Sequence, residues 1–418
     1  MNNDNYNDIR EIVEKVTNTL VNRKNELNES QIKQYILSEI EKRKSSNYLS
    51  IRTKSKLADT VFNAINGYGA LQPLIEDDDI SEIMINSQNE IFIEKNGIIS
   101  KIDQYFHSEE DLRDIIQMMV SRVNRTVNES KPIADTRLED GSRVSIVLPP
   151  IALKGPTVTI RKFPNESMTL DKLIEYKSID KNTADILKKM VICKFNIFIS
   201  GGTSSGKTSF LNALSNFIPE DERVITIEDS AELQLNNIEN LVKLETRDEN
   251  NEGKGKVTVR DLIKASLRMR PDRIIVGEVR GEEALEMLQA MNTGHDGSIS
   301  TGHANSVKDM LSRIETMVLS GSEMPMLSIK QQIASAIDIV IHLGRLRDKS
   351  RKVLEITEIV GIEDNKYILN PLYVFEEDEE SNKIKLSGKL KHTGNEMIND
   401  YKIKYSGLEL ILGDNNDF

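Results

Sequence analysis

Residues 199–210 read "ISGGTSSGKTSF" and follow directly on the apolar run "NIFIS". Gly201, Gly206, Lys207 and Thr208 fit the pattern G-x-x-x-x-G-K-[ST] without a gap, with a strand expected before it and a helix expected from the lysine. A turn needs one or two glycines, so the remaining small residues need another cause. Small side chains let successive backbone N–H groups curl around a phosphate, and the helix N-terminus adds the positive end of its dipole. Gly201, Gly202, Thr203, Ser204, Ser205, Gly206, Lys207, Thr208 and Ser209 are therefore read as the cradle of a nucleotide. Lys207 would reach the β and γ phosphates, and the Thr208 hydroxyl would be a ligand for Mg2+.

The surroundings suit such a loop. From about residue 170 helix and strand alternate: helices in "LDKLIEYK" and "KNTADILKKMVIC", strand "FNIFIS", a helix at 207–217, strand "RVITIED", helix "VTVRDLIKASLRM", strand "RIIVGEV", helix "GEEALEMLQAMNTG" and strand "GSISTGHA". That alternation predicts α/β architecture, a parallel sheet wrapped by helices. The later stretches "VLEITEIVGIE" and "KYILNPLYVFE" predict an antiparallel appendage, and "EEDEESNK" a solvated acidic loop.

Upstream, residues 1–65 read as a helical extension. Ile9, Ile12, Val13, Val16, Leu20 and Val21 form one stripe, "ESQIKQYILSEIEKRKSS" and "KLADTVFNAI" repeat it, and "KSSNYLSIRTKSK" reads as a polar connection. Residues 66–165 read as a mixed α/β domain. It has a hairpin in "EIFIEKNGIISKI" turning at Asn-Gly and a Ser-capped helix in "SEEDLRDIIQMMVSRVNR". Strands in "PIADTRLEDGSRVSIVLPP" and "GPTVTIRKF" complete it. The expected domains are 1–65, 66–165 and 166–418.

Hydrolysis needs a carboxylate that holds the metal or orients water. Glu228 and Asp229 follow the strand residues "VITI", and Glu278 follows Ile274-Ile275-Val276-Gly277. In a parallel sheet such strand ends converge on the crevice beside the glycine-rich loop. Two of the five histidines, His295 and His303, lie in "TGHDGSISTGHANS" beyond the second acid, where they are read as positioning groups or sensors of the γ phosphate rather than metal ligands.

Composition excludes some alternatives. The chain carries a net charge of −12, no Trp and 5% aromatics, which argues against a nucleic-acid translocase with a basic, stacking channel. A scaffold that only binds nucleotide predicts a damaged lysine or missing acids, and both are intact. One cysteine, Cys193, rules out an intramolecular disulfide and fits a reduced, cytosolic setting, where it is expected to fill core space. No secretory signal is visible at the amino terminus. No apolar run reaches the roughly 20 residues of a membrane span, so attachment to a membrane would be from outside.

Taken together, "GGTSSGKT", "ITIEDSAEL" and "MRPDRIIVGEVRG" with "TGHDGSISTGH" resemble the Walker A, Asp-box, Walker B and His-box sequence of the type II/type IV secretion ATPases. The eight-residue offset between the histidines resembles the branch with conjugative and Flp/Tad pilus motors. "GYGALQPLIEDDDISEIMIN", "RLEDGSRV" and "GPTVTIRKF" resemble the amino-terminal domain of Flp/Tad pilus assembly ATPases of the CpaF type. The likeness runs from about residue 58 to 375. It implies a RecA-like ATPase domain, a homohexameric ring, ATP and Mg2+ as cofactors, and nucleotide in a cleft that closes by a hinge. It also implies a cytoplasmic protein, peripheral at the membrane, whose partner is an inner-membrane platform protein, with no nucleic acid. By the same resemblance Glu228 and Glu278 share water activation and metal coordination, Asp229 supports the metal shell, and His295 and His303 report the phosphate state. Arg137, Arg143 and Arg161 would bring positive charge from the amino-terminal domain, Arg280 an ion pair beside Glu278, and Arg268 and Arg270 a brace at a subunit interface. The Walker B strand ends in Gly277-Glu278 where the general pattern has an aspartate. The implied activity is ATP hydrolysis powering pilus assembly or protein secretion; a conjugative or type IV secretion motor is the alternative.

Overall fold

The computed structural model describes residues 15–16, 28–42, 50–95, 97–106, 108–123, 125–163, 167–247, 249, 254–379, 381, 386–410 and 412. Of the expected amino-terminal stripe only Val16 falls among them, and it is buried; Ile9, Ile12, Val13, Leu20 and Val21 lie outside the described residues. The chain divides into two compact units, residues 1–165 and 166–418.

The first unit opens with helices α1 (Glu29–Glu41) and α2 (Ile51–Asn66), which pack through Ile36, Ile40, Ala58 and Val61. The Ser50 hydroxyl accepts the Thr53 N–H at 3.2 Å and starts α2. Half of the stretch expected as a polar connection is therefore helix: a serine cap followed by good helix formers outweighs its polarity. After a short helix α3 (Gln72–Glu76) come strands β1 (Ile80–Ser87), β2 (Glu90–Lys95) and β3 (Ile98–Lys101), helix α4 (Glu109–Ser121), then β4 (Ile133–Arg137), β5 (Arg143–Val147) and β6 (Thr157–Arg161). The sheet order is β3-β2-β1-β6-β5-β4 with every neighbour antiparallel. Period-two alternation puts Ile83, Ile85, Val144, Ile146, Val158 and Ile160 into one core with Leu112, Ile116 and Met119 of α4.

The second unit holds α5 (Leu170–Glu175), α6 (Lys181–Ile192), β7 (Ile197–Gly201), α7 (Lys207–Ser215), β8 (Val224–Glu228), β9 (Leu241–Glu245), α8 (Val259–Ser266), β10 (Arg273–Val276) and α9 (Ala284–Asn292). It continues with β11 (Ile299–His303), α10 (Val307–Gly321), α11 (Met326–Ala336), β12 (Ile339–Arg345), β13 (Arg351–Glu363), β14 (Lys366–Glu377), β15 (Gly388–His392) and α12 (Tyr401–Ser406). The sheet order is β15-β14-β13-β12-β7-β11-β10-β8-β9. The six strands from β12 to β9 are parallel, and β13, β14 and β15 add on antiparallel. Helices cover both faces of the parallel part. Along β7, Ile197 and Ile199 enter one core and Phe198 the other, which is why the strand reads as an unbroken apolar run.

The α/β architecture expected from the sequence holds. The alternation pattern omits β9, β12, α10 and α11. As an edge strand, β9 is only half buried, and Leu-Val-Lys-Leu-Glu is a short run broken by charge. The expected acidic loop is partly strand: Glu376 and Glu377 belong to β14 and pair with Lys391 and Arg347. Cys193 is buried, its Sγ 3.1 Å from the Ser406 hydroxyl.

Candidate functional site

Strand β7 ends at Gly201 and α7 starts at Lys207, so the glycine-rich loop leaves the carboxyl end of a central parallel strand. A Cβ on Gly201 would sit 2.5 Å from the Leu343 carbonyl oxygen and 2.6 Å from Ser205 Oγ, so only glycine allows this approach. A Cβ on Gly202 would meet nothing within 4 Å, which leaves the outer side of the loop open. Ser204 and Gly206 take left-handed backbone conformations, φ +58° and +92°. Arg351, at the start of β13, donates from Nε to the Ser204 carbonyl at 3.0 Å and holds that conformation. Ser205 Oγ donates to the Gly202 carbonyl at 2.9 Å. Thr203, Ser204 and Ser209 are exposed and Thr208 is half buried.

The Lys207 side chain is buried, and its ammonium donates to the carbonyls of Gly201 at 3.2 Å and Gly202 at 2.9 Å. It also lies 3.3 Å from Nδ1 of His303, which stands opposite Gly201 in the β7–β11 register. His303 Nε2 is 3.0 Å from Glu278 Oε1. Glu278 Oε2 is 3.1 Å from Arg280, and the same guanidinium is 3.1 Å from Asp229. Five side chains from four sequence segments thus form one line of polar contacts. Burial and the Lys207 ammonium push the His303 imidazole below its ordinary pKa, while Glu278 pulls the other way. A neutral ring can accept from the Lys207 ammonium at Nδ1 while its Nε2 faces the Glu278 carboxylate. The Thr301 hydroxyl donates to the Gly277 carbonyl at 2.7 Å and steadies the segment that carries Glu278.

Glu228 is buried and accepts the backbone N–H groups of Glu232 at 2.9 Å and Leu233 at 3.2 Å, which fastens the turn after β8. Gly277 leaves it room, since a Cβ there would lie 3.0 Å from Glu228 Cγ. Among the described residues no three His, Cys, Asp or Glu side chains could cage a metal. The donors present, the Thr208 hydroxyl with Asp229 and Glu278 close to the loop, suit Mg2+ held jointly with phosphate and water rather than by a closed protein cage.

The expected histidine pair is divided. Ile299 pairs with Ile197 at the start of β7, and His295 lies ahead of that point, at the amino-terminal edge of the sheet. Its Nδ1 sits 3.2 Å from the Ala290 carbonyl, and the following loop is tied by Gly297 N–H and Ser298 N–H to Asn196 Oδ1. Strand β11 spans about 13 Å at 3.3 Å per residue, with His295 before its start and His303 at its end. His295 therefore does not join His303 at the loop.

Arg137, Arg143 and Arg161 lie in the first unit. Arg137 is opposite Arg143, and Arg143 is opposite Arg161, so the three form one row across β4, β5 and β6. Directly opposite residues share a sheet face, and like charges so placed are unfavourable unless an anion or acid answers them. Glu82 stands opposite Arg161 on the other side. Arg268 and Arg270 are exposed. Arg351 and His342 are residues the sequence does not point to; His342 is buried, its Nδ1 3.1 Å from the Ser200 hydroxyl.

A parallel sheet whose central strand runs into this loop, with a lysine, a histidine and acids converging on it, defines a RecA-like P-loop protein. The chain belongs to the type II/IV secretion system protein family, whose model matches residues 65–391. It is 33% identical over 310 residues to the conjugal transfer protein TrbB of Rhizobium radiobacter, covering 73% of this chain and 91% of that one. It is 30% identical over 341 residues to the type IV secretion system protein VirB11 of Bartonella henselae, covering 72% and 93%. The crystal structure of the pilus retraction motor PilT with bound ADP matches with a TM-score of 0.50 at 17% identity, covering 80% of this chain and 85% of that one, a likeness of fold. Among the described residues no helix is long and apolar enough to cross a membrane.

Proposed function

We propose that this chain is an ATP-hydrolysing motor of a secretion or pilus machine, working as a homohexameric ring at the cytoplasmic face of a membrane. The observation that carries this is the continuous line Lys207–His303–Glu278–Arg280–Asp229, anchored on the glycine-rich loop. Lys207 exchanges its two carbonyl partners for the β and γ phosphates of ATP. The Thr208 hydroxyl, with Asp229 and Glu278 nearby, would hold Mg2+, which supplies charge neutralisation across the phosphates. Glu278 then orients the attacking water and accepts its proton, with His303 fixing the carboxylate. Glu228 shapes the turn that carries Asp229. The row Arg137, Arg143 and Arg161 supplies positive charge to the phosphates when the units close. His295 has no part in this chemistry.

The amino-terminal motifs favour a Flp/Tad-type pilus assembly motor acting on an inner-membrane platform protein. A second reading, a conjugative or type IV secretion motor, is favoured by the relatives TrbB and VirB11. Steady-state ATPase assays of the parent and Glu278→Gln test the chemistry, and turnover unchanged in the variant would remove Glu278 from its role. Sizing with a nonhydrolysable ATP analogue tests the ring, and a monomer throughout would reject it. Deleting the gene in its native host separates the machines, by loss of pili or loss of conjugative transfer.

A further inference from the structure

Helix α2 has an end that its own packing does not use. Its apolar face begins at Leu57 and Ala58, which join Val61, Phe62 and Ile65 against Ile36 and Ile40 of α1. The six residues before them, Ile51 to Lys56, take no part in that core, and all but Lys54 are exposed. They read Ile-Arg-Thr-Lys-Ser-Lys and lie ahead of residue 65, where the family match begins. Between Lys42 and Ala58 the sequence has no carboxylate, in a chain of net charge −12. Among the described residues the side chains of Arg52, Lys54 and Lys56 have no hydrogen-bond or ion-pair partner. The one acid of α2, Asp59, lies 3.4 Å from Lys33 of α1. Ile51 is left 88% exposed beside these cations.

Stability does not account for this composition. Cations near the start of a helix oppose the positive end of its dipole. Elsewhere in the chain that end is met by acids: α4 opens with Glu109, Glu110 and Asp111, and α8 and α10 carry Asp261 and Asp309 in the first turn. An isoleucine left in water gains nothing from folding. The arrangement selects a partner instead. Helix positions advance by about 100°, so Arg52 and Lys56 share a side and Lys54 lies across the helix from them. Three cations fanned in this way cannot converge on one anion, and they suit a surface that carries many. Ile51 among them suits a layer that takes an apolar side chain beneath charged groups. Nucleic acid offers the anions, but its bases call for aromatic rings to stack on, and residues 51–56 hold none. The interface of an anionic bilayer offers both the charge and the apolar layer.

We propose that this end of α2 docks on anionic lipid headgroups, with Arg52, Lys54 and Lys56 on the phosphates and Ile51 among the upper acyl chains. The proposal rests on the membrane location given to the chain above and not on the chemistry of the glycine-rich loop. It is tested by sedimenting the full chain with vesicles of phosphatidylcholine containing about one-third phosphatidylglycerol, and with vesicles of phosphatidylcholine alone. The parent is expected to bind the anionic vesicles at about 0.1 M salt, to leave them at about 0.5 M, and to ignore the neutral ones. The triple variant Arg52→Gln, Lys54→Gln, Lys56→Gln should bind the anionic vesicles about 100-fold more weakly, at about fivefold per cation. Ile51→Ser should lose about tenfold. Circular dichroism and vesicle-free ATP turnover should match the parent in both variants, since neither change touches the core or the loop. Unchanged binding in the triple variant would overturn the proposal, as would equal binding of the parent to neutral vesicles. So would a DNA oligonucleotide that the parent binds more tightly than the anionic vesicles and the triple variant does not bind. A parent without ATP turnover would count against the motor reading alone, because vesicle binding is read independently of it.

Discussion

The two edges of the parallel sheet are built on opposite terms. At the amino-terminal edge charge is buried and matched. Arg273 has no exposed surface; its guanidinium makes two bonds to Glu222, at 2.6 and 3.0 Å, and another at 2.6 Å to the Val191 carbonyl. Lys402 of α12 reaches Asp296 and Asp338, each at 2.7 Å, and the Lys194 carbonyl at 3.0 Å. Asn196 donates to the Ala336 carbonyl and accepts from two amides of the 297–298 turn. At the carboxyl-terminal edge the ion pairs are half exposed, two loop residues hold left-handed backbone, and a lysine is turned onto carbonyls. One edge closes its buried charges on protein partners, and the other keeps groups that can change partners. The contrast teaches where to expect stability effects and where to expect kinetic ones.

The largest effect is expected at the second edge. Lys207→Ala should reduce ATP turnover on the order of 10³-fold, the scale of losing a preorganised charge at a reacting centre. Steady-state ATPase assays with excess Mg2+ measure it. If the variant turned over ATP at the parent rate, the carboxyl edge would lose its catalytic assignment and the contrast between the edges would fail.

At the first edge Arg273→Met should leave the fold intact but less stable by about 3 kcal/mol, because Glu222 would keep a buried carboxylate without its main partner. The figure is placed at the low end because Lys194 lies 3.6 Å from Glu222 and takes over part of the pairing. Urea unfolding followed by circular dichroism measures this. Once the loss of folded fraction is corrected for, ATP turnover per folded molecule should match the parent. A loss of turnover as large as that of Lys207→Ala would mean that the two edges are not separable.

The histidines sharpen the comparison further. His303→Gln should lower turnover about tenfold, since it removes the link between Lys207 and Glu278. His295→Gln should change turnover less than about twofold and affect only the stability of the 290–298 turn. Parallel kinetics on the two variants measure the difference, and equal losses would restore the pair as a functional unit.

That pair also shows what the sequence could convey. The stretch "GSISTGHA" reads as a strand, and a strand crossing the sheet cannot leave a residue before it and a residue at its end on one edge. The separation of His295 from His303 is legible once this geometry is applied, even though glycines flank both. Strands β7, β8 and β10 are legible for a related reason: helices cover both faces, so each reads as an apolar run leading into the site, whereas β11, Ile-Ser-Thr-Gly-His, is legible only from its place in the helix–strand alternation. Helix α10 was equally open to detection, with Met310, Leu311, Ile314, Met317 and Val318 at helical spacing. Arg351 was not legible. It reaches the loop only because β13 lies beside β12 and β12 beside β7, a pairing made across 147 residues of sequence. The line Lys207–His303–Glu278 needed the strand order as well, since no spacing in the sequence states that β11 sits between β7 and β10.

The smallest expected effect concerns protons. His303 and His342 flank the end of β7 on its two neighbouring strands, and burial lowers the pKa of both. Between each lowered folded value and the ordinary histidine value near 6.5, the unfolded chain binds more protons than the folded one. Stability therefore rises with pH through that window and levels off above it. Urea midpoints of the nucleotide-free protein, taken from about pH 5 to pH 8, should trace this rise. His342→Asn should flatten more of the slope than His303→Asn, because His342 is the more deeply buried ring and, among the described residues, its acids Glu355 and Asp309 act on it without a hydrogen bond. Glu278, 3.0 Å from His303, offsets part of that ring's burial. A slope unchanged in both variants would show that neither imidazole is held neutral, and the proton arrangement assigned to the line from Lys207 to Glu278 would have to be reversed.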